Sequence, residues 1–394
     1  MKELKGKRLG VLIALCGLIA SSVGILTNVA GLFFAPAAEE LGVGRGSVSL
    51  SLTICNLAFA VGGMLSLRVV AGGRFKAAIC AGTLIMAGAT AALSLAQSVA
   101  MLYLFNALRG FIAGMLGFVL VTTVINRWFT QGVGLVTSIA LGCSGLAGAA
   151  LSPVVSAVIE SAGWRKGYLF CAALILVLNL PAILIPFGMD PEDKSDGPTA
   201  TYRKDAGAGV NGLVFAAVAF FSACAAFIGA MPQHFPGLAS SYALPAAQGA
   251  AMLSVCMVAN TGSKLLFGIL SDKIGARRSL LLFCALVAAA LLLLIFIRAA
   301  APLLIAAALL GCTYALATVG VVMLTKDAFS RAQYEKVFPS ISMAGTLANA
   351  AASSLIGFLY DGSGAYTGAL ALLLALCALQ AGAVFVAYRR KTAA

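Results

Sequence analysis

The sequence predicts an all-α integral membrane protein with twelve transmembrane helices in two six-helix bundles. Three observations predict it. Of 394 residues, 61% are hydrophobic and only 10% charged, against about 25% charged in a soluble domain. Apolar runs near the roughly 20 residues that a bilayer core needs recur along the whole chain. The longest polar interruption falls at the middle, with six apolar runs on each side.

The first span, 9–37, follows Lys2, Lys5, Lys7 and Arg8. It imitates a signal peptide, but its apolar region is too long for one and reads as an uncleaved helix. Charged or turn-rich breaks then bound spans at 47–70, 76–97, 100–125, 133–159 and 166–188. A polar stretch, Met189 to Gly209, carries Pro191, Pro198 and a run of charges, which suits a solvated linker. Spans follow at 211–238, 246–270, 279–298, 302–325, 336–359 and 365–388. The domains are therefore a bundle over 1–188, a cytoplasmic linker over 189–210 and a second bundle over 211–394.

With the N-terminus inside, 20 of the 26 lysines and arginines fall in inner segments. The outer segments hold Arg45, Arg165, Lys166 and Arg298, and only Arg109 and Lys264 lie within spans. The positive-inside rule then puts both termini in the cytoplasm of a cell (plasma) membrane protein. The net charge of +13 reports topology, and nucleic-acid binding, which needs a basic patch on a soluble surface, is excluded. The expected partners are the lipid bilayer and a small solute, with the carrier a monomer.

Ten cysteines stand singly without ligand spacing, and His234 is the only histidine. No metal or cofactor is expected. No GxxxxGK[ST] phosphate loop occurs, so gradients are the energy source. A membrane enzyme would show a nucleophile, metal or acid–base constellation, and none is visible. A sensor would need an output domain larger than the linker.

The two halves echo each other at an offset of about 200 residues. Gly63-Met-Leu-Ser-Leu-Arg68 corresponds to Gly268-Ile-Leu-Ser-Asp-Lys273, and Gly145 to Gly345. A duplicated six-helix unit places a substrate site near the membrane midplane between its copies.

Gly268-Ile-Leu-Ser-Asp-Lys-Ile-Gly-Ala-Arg-Arg278 resembles the loop signature of the major facilitator superfamily. Arg109-Gly110, the glycine-rich fifth span from Gly142 to Pro153, and Gly163-Trp-Arg165 are similar to other marks of that superfamily. The first loop copy departs from it, with Leu67 where the signature has aspartate. The eighth span resembles the monocarboxylate and oxalate:formate exchanger branch, with Lys264, Gly268 and Asp272 at that branch's spacing and lysine in place of its arginine. Trp128-Phe129, Tyr360-Asp361, Gly364 and Tyr366 also fit the branch. The resemblance implies a secondary carrier working by alternating access.

Lys264 has two readings. Its stem can snorkel toward the inner interface, or its ammonium can face a cavity and attract an anion, since an ionisable group in a span normally has a partner. Arg109 is open in the same way between bonding neighbouring helices and touching substrate. All thirteen acidic residues lie at span ends or in loops, so no carboxylate within the membrane relays protons. Where the monocarboxylate branch has an aspartate, this chain has Asn260, which favours exchange or facilitated passage over proton symport.

The exchanger branch implies a second cation on the eleventh helix, and Ala344 stands near its place, so a monocarboxylate fits better than a dicarboxylate. Asn28, Asn260 and Asn349 are amides on helices that line the superfamily's cavity, with Asn349 read as structural. Phe33, Phe34 and Tyr314 either wall that cavity or pack. Gly31, Gly142, Gly145, Gly148 and Gly345 allow close helix approach.

Asp272 is expected to cap a helix or pair with Arg277 or Arg278, and these three with Arg68 form the expected gate. The substrate-binding set is Lys264, Arg109, Asn28, Asn260, Tyr314 and Phe33. The competing transporter reading is efflux of a hydrophobic or amphipathic compound.

Overall fold

The computed structural model describes residues 2–70, 75–129, 133–189 and 210–388. Two compact units divide the chain, Met1–Thr199 and Ala200–Ala394. The first holds α1 (2–41), α2 (Arg45–Val70), α3 (Phe75–Ala92), α4 (Val99–Trp128), α5 (133–162) and α6 (164–184). The second holds α7 (Gly212–Ser241), α8 (Ala246–Ile274), α9 (Ala276–Phe296), α10 (Ala300–Ala328), α11 (Arg331–Ser363) and α12 (Thr367–Tyr388). Helix runs unbroken by hydrogen-bonding criteria from Val133 to Leu184, but Gly163 at φ 84°, ψ 160° turns the chain between α5 and α6. A side chain is strained at that φ, which is why glycine sits there. The linker expected at 189–210 lies almost wholly outside the described residues.

All twelve expected spans are present as helix. Several helices run past the expected ends because helix continues where hydropathy falls. α1 reaches Leu41 and α8 reaches Ile274, each ending in polar or charged turns.

The duplication is sharper in structure than in sequence. Short 3₁₀ turns occupy Ala30–Phe33 in α1 and Met231–His234 in α7. Positive φ follows at Gly42 (65°) and Ala243 (55°), and again at Gly163 (84°) and Gly364 (69°). The members of every pair are 201 residues apart.

Close helix approach holds the bundles together. In a bilayer, lipid competes with burial as a driving force, and small residues that let backbones meet contribute instead. A Cβ at Gly110 would collide with the Cys55 carbonyl, one at Gly114 with the Phe59 carbonyl, and one at Gly62 with the Phe111 carbonyl. These three glycines let α2 and α4 pack backbone to backbone. In the second unit Gly311 of α10 sits against the Cys256 carbonyl of α8, 2.9 Å from where its Cβ would stand. Cys55 and Cys256, like Gly110 and Gly311, are again 201 apart.

The glycines expected to mediate packing differ among themselves. A Cβ at Gly345 would lie 2.7 Å from the Ser222 hydroxyl, whereas Gly142 faces open space.

At the end of each unit that carries a chain terminus, a cation at the start of the third helix grips the sixth. Lys76 Nζ donates to the carbonyls of Ala182 (2.7 Å) and Ile185 (2.5 Å) and stands 5.1 Å from the Phe187 ring centroid. Arg277 lies 5.2 Å from the Phe385 ring and 5.9 Å from that of Tyr388, whose hydroxyl donates to Asp327 Oδ2 at 2.6 Å. Lys76 also neutralises the negative end of the α6 dipole. Lys76→Met is expected to lower detergent stability by about 1–3 kcal/mol by orphaning two carbonyls. Arg277→Gln, which loses only ring contacts, should cost roughly 0.5–1 kcal/mol. Thermal unfolding of the two variants side by side checks that order.

Candidate functional site

In the first unit the site grows from Arg109 on α4. Arg109 is only 3% exposed, at Cα about 15 Å along the helix from Val99 at 1.5 Å per residue. Its Nε donates to Asn106 Oδ1 at 2.9 Å, and Asn106 in turn donates to the Leu102 carbonyl at 2.8 Å. The guanidinium lies 5.6 Å from the Tyr168 ring centroid and beside the Cys55 thiol. Among the described residues no carboxylate pairs with it.

Tyr168 stacks on Phe33 at 4.0 Å and 15°, and meets Trp164 edge-on at 5.9 Å. Trp164 and Tyr168 are four residues apart on α6, hence on one face. That spacing was readable in the sequence beside the Gly163-Trp-Arg165 motif, as was Asn106 three residues before Arg109. Phe33, expected to wall a cavity, is 2% exposed and committed to this stack.

Asn28 donates to the Ser144 carbonyl at 2.8 Å, tying α1 to α5. It ends a π-helical stretch, Ala20–Asn28, a helix form frequent at functional sites. Asn349 donates to the Ala226 carbonyl at 3.0 Å, the structural tie expected of it.

The Gly163-Trp-Arg165 motif closes this unit. Glu40 accepts from Trp164 Nε1 and, at 2.8 Å, from Arg165 Nε, while Arg165 also donates to the Ser94 carbonyl at 2.8 Å. The hydrogen bond from Arg165, with a smaller contribution from Trp164, holds the Glu40 carboxyl below its usual pKa. A depressed carboxylate contributes stability that is complete above its unfolded pKa, about 4.3, and is lost as pH falls through the folded value. Because the pair is half exposed, the contribution is below about 1 kcal/mol. Trp164 fluorescence should therefore change below about pH 4 in the parent chain and stay flat in Glu40→Gln.

In the second unit α8 carries Asn260 and Lys264 one turn apart. Asn260 is 7% exposed and its Oδ1 is buried without a hydrogen-bond partner. Lys264 is half-buried, and no hydrogen bond or ion pair engages its ammonium among the described residues. Ser263, between them, donates to the Gly311 carbonyl at 3.2 Å and so fixes α8 against α10. Tyr314 follows on α10, just before the π-helical Leu316–Gly320, and its carbonyl accepts from Thr318. Its hydroxyl bonds no described residue. Asn260, Lys264 and Tyr314 thus belong to one contiguous helix pair, with unspent polar capacity on each.

Among the described residues, Arg109 in one half and Lys264 in the other stand well inside a span, on unlike helices of a common scaffold. Positions 201 residues from Arg109 and Lys264 are Leu310 and Gly63.

His234, fully buried, has Nε2 2.9 Å from the Ser353 carbonyl, with its ring 5.8 Å from that of Tyr366. That is a packed helix-to-helix tie. The residues of the expected gate stand apart in the structure. Asp272 is exposed and makes no ion pair with Arg277 or Arg278 among the described residues, because Arg277 is turned onto Phe385 and Tyr388. Arg278 is exposed. The backbone of Arg68 is helical, and its side chain lies outside the described residues.

Among the described residues no group of three or more histidine, cysteine or acidic side chains is placed to hold a metal ion. No curated protein sequence matches the chain. Crystal structures of several transporters share its fold, among them three. A mutant of the nucleoside transporter NupG superposes with TM-score 0.75 at 11% identity, covering 96% of this chain and all of that one. The unmutated NupG gives 0.73 at 14% identity, over 98% and 99%. A bacterial homologue of the human lysosomal transporter Spinster gives 0.65 at 18% identity, over 98% and 95%. The model of the Major Facilitator Superfamily matches residues 13–300 and 213–394. With its duplicated six-helix units and matches along nearly its whole length, the chain belongs to that superfamily of membrane transporters.

Proposed function

We propose that the protein is a secondary carrier that moves a small organic anion, a monocarboxylate, by alternating access, as an exchanger or facilitator. The observation that carries this reading is the state of its two in-span cations. Among the described residues, Arg109 is buried with only neutral partners, and Lys264 has no hydrogen-bond or ion-pair partner. An ionisable group in a membrane span costs at least about 2.5 kcal/mol, so two such charges kept without carboxylates call for an anion from solution. A carboxylate would neutralise the ammonium as the carrier closes around it. Asn260, one turn away, supplies an amide to the same ligand, and Tyr314 a hydroxyl.

The acidic residues support exchange over proton coupling. Those the structure describes stand at or near helix ends or in loops, leaving no carboxylate inside a span to relay protons. Lysine is a point charge and not a planar fork, so one carboxylate at modest affinity suits the site. The lysine and arginine distribution supports a cytoplasmic location of both termini.

The test is ligand-induced thermal stabilisation of the purified carrier with formate, lactate, pyruvate, oxalate, a nucleoside and a hydrophobic amine. The reading expects concentration-dependent stabilisation by at least one monocarboxylate, as binding to the native state alone requires, and none by the other two classes. Stabilisation by the nucleoside or the amine, with none by any acid, would replace it.

A further inference from the structure

The second unit carries a further cation, outside the site described above. At the end away from Gly212 and Tyr388, α9 finishes at Phe296 and the chain passes through Ile297, Arg298 and Ala299 into α10. Arg298 is exposed, yet it is held in place. Its guanidinium lies 5.4 Å from the Tyr242 ring centroid, and the Tyr242 hydroxyl donates to the Leu294 carbonyl at 2.6 Å. Gln248 Nε2 fixes the other side of the turn through the Ala300 carbonyl at 2.8 Å. No described carboxylate pairs with Arg298, whereas Arg165 in the first unit is paired with Glu40.

Directly along α9 from this arginine runs an apolar groove lined by Ala289, Leu292, Leu293, Phe296 and Ile297. Their spacing puts them on one face of the helix, and that face is open: Phe296 is 78% exposed and Leu292 42%. The eight-residue rise from Ala289 to Ile297 is about 12 Å. Tyrosine favours the membrane–water boundary, so Tyr242 sets Arg298 at headgroup level with the groove descending into the hydrocarbon.

We propose that Arg298 and this groove bind one anionic phospholipid, with its phosphate on the guanidinium and an acyl chain along α9. Charge complementarity selects this occupant. A zwitterionic lipid brings its own cation to the same place, a soluble anion leaves the groove unused, and an apolar protein surface leaves the arginine unpaired at the boundary. The proposal is independent of the transported substrate.

The experiment is native mass spectrometry of the full-length carrier, released from micelles containing equimolar phosphatidylglycerol and phosphatidylcholine. The parent should retain a single phosphatidylglycerol with a preference of roughly fivefold, the worth of one basic residue near an anionic headgroup. Arg298→Gln should bring the ratio to about one while Arg298→Lys keeps most of it. Ala289→Phe, which fills the groove and leaves the arginine alone, should lower retention of phosphatidylglycerol.

Equal retention of the two lipids by the parent overturns the proposal. So does an Ala289→Phe variant that keeps full retention, or displacement of the lipid by millimolar inorganic phosphate, since either reduces the site to a bare anion contact. Monodisperse elution and an unchanged unfolding temperature of each variant exclude misfolding as the cause.

Discussion

Replacing Lys264 by glutamine is expected to cost two to three orders of magnitude in carboxylate affinity while leaving the carrier folded. Removing one partner of a buried charge pair typically costs about 2–5 kcal/mol, and roughly 1.4 kcal/mol is a factor of ten. Among the described residues no hydrogen bond or ion pair engages Lys264, so the substitution breaks no such contact there, and glutamine is a good helix former. Unfolding temperature should stay level or rise, since a partly desolvated charge has been removed. Lys264→Arg should tighten binding, because a guanidinium grips a carboxylate with two parallel hydrogen bonds. Isothermal titration of the three proteins checks the order arginine, lysine, glutamine. An affinity unchanged by glutamine would make Lys264 a snorkelling side chain.

Gly110→Val should produce the largest loss of stability of any single change considered. Even the first carbon of a side chain at Gly110 would collide with the Cys55 carbonyl, and backbone cannot move aside as a flexible side chain does. Small-to-large changes in a packed core cost roughly 1–3 kcal/mol or more, and here α2 and α4 must separate. The same separation would shift Arg109, one residue earlier, so transport should fail with stability. Gly142→Ala, where nothing stands within 4 Å, should be close to neutral. Unfolding temperature and monodisperse yield of the two variants measure the contrast.

These two positions show what was legible in the sequence. Helix number and order follow from hydropathy, since a bilayer permits little besides apolar helices of fixed length. Lys264 and Arg109 were visible because charge inside a span is rare. The contacts that position them were harder to read, although Gly110 and Gly114 spell the small-xxx-small spacing of close helix pairs. A chain with 43 glycines offers many such spacings, and periodicity alone does not say which face a neighbour. Gly142 and Gly345 looked alike in sequence and differ in the structure for that reason.

The charged loop after α8 holds a contact that its sequence did not show. Arg277 sits five residues after Asp272 in sequence, which suggests a latch, and in the structure it begins α9 and lies against the Phe385 and Tyr388 rings of α12. Its counterpart Lys76, 201 residues earlier, makes the matching grip on Phe187. That correspondence was hidden by unlike residue types, lysine and phenylalanine in one half, arginine and tyrosine in the other. The two halves share the geometry while the residues that make it differ. In the same way the cation deep in a span stands on α4 in one half, as Arg109, and on α8 in the other, as Lys264.

The central claim, that a lysine-centred site carries small carboxylates, is tested most directly by uptake of labelled pyruvate into proteoliposomes. These are left empty or preloaded with unlabelled formate, lactate, pyruvate or oxalate, with Lys264→Ala as the control. The account predicts that a monocarboxylate inside accelerates uptake, that oxalate does so less, and that Lys264→Ala abolishes the signal. Absence of movement of any of the four acids in the parent, or transport by Lys264→Ala at the parent's rate, would contradict it.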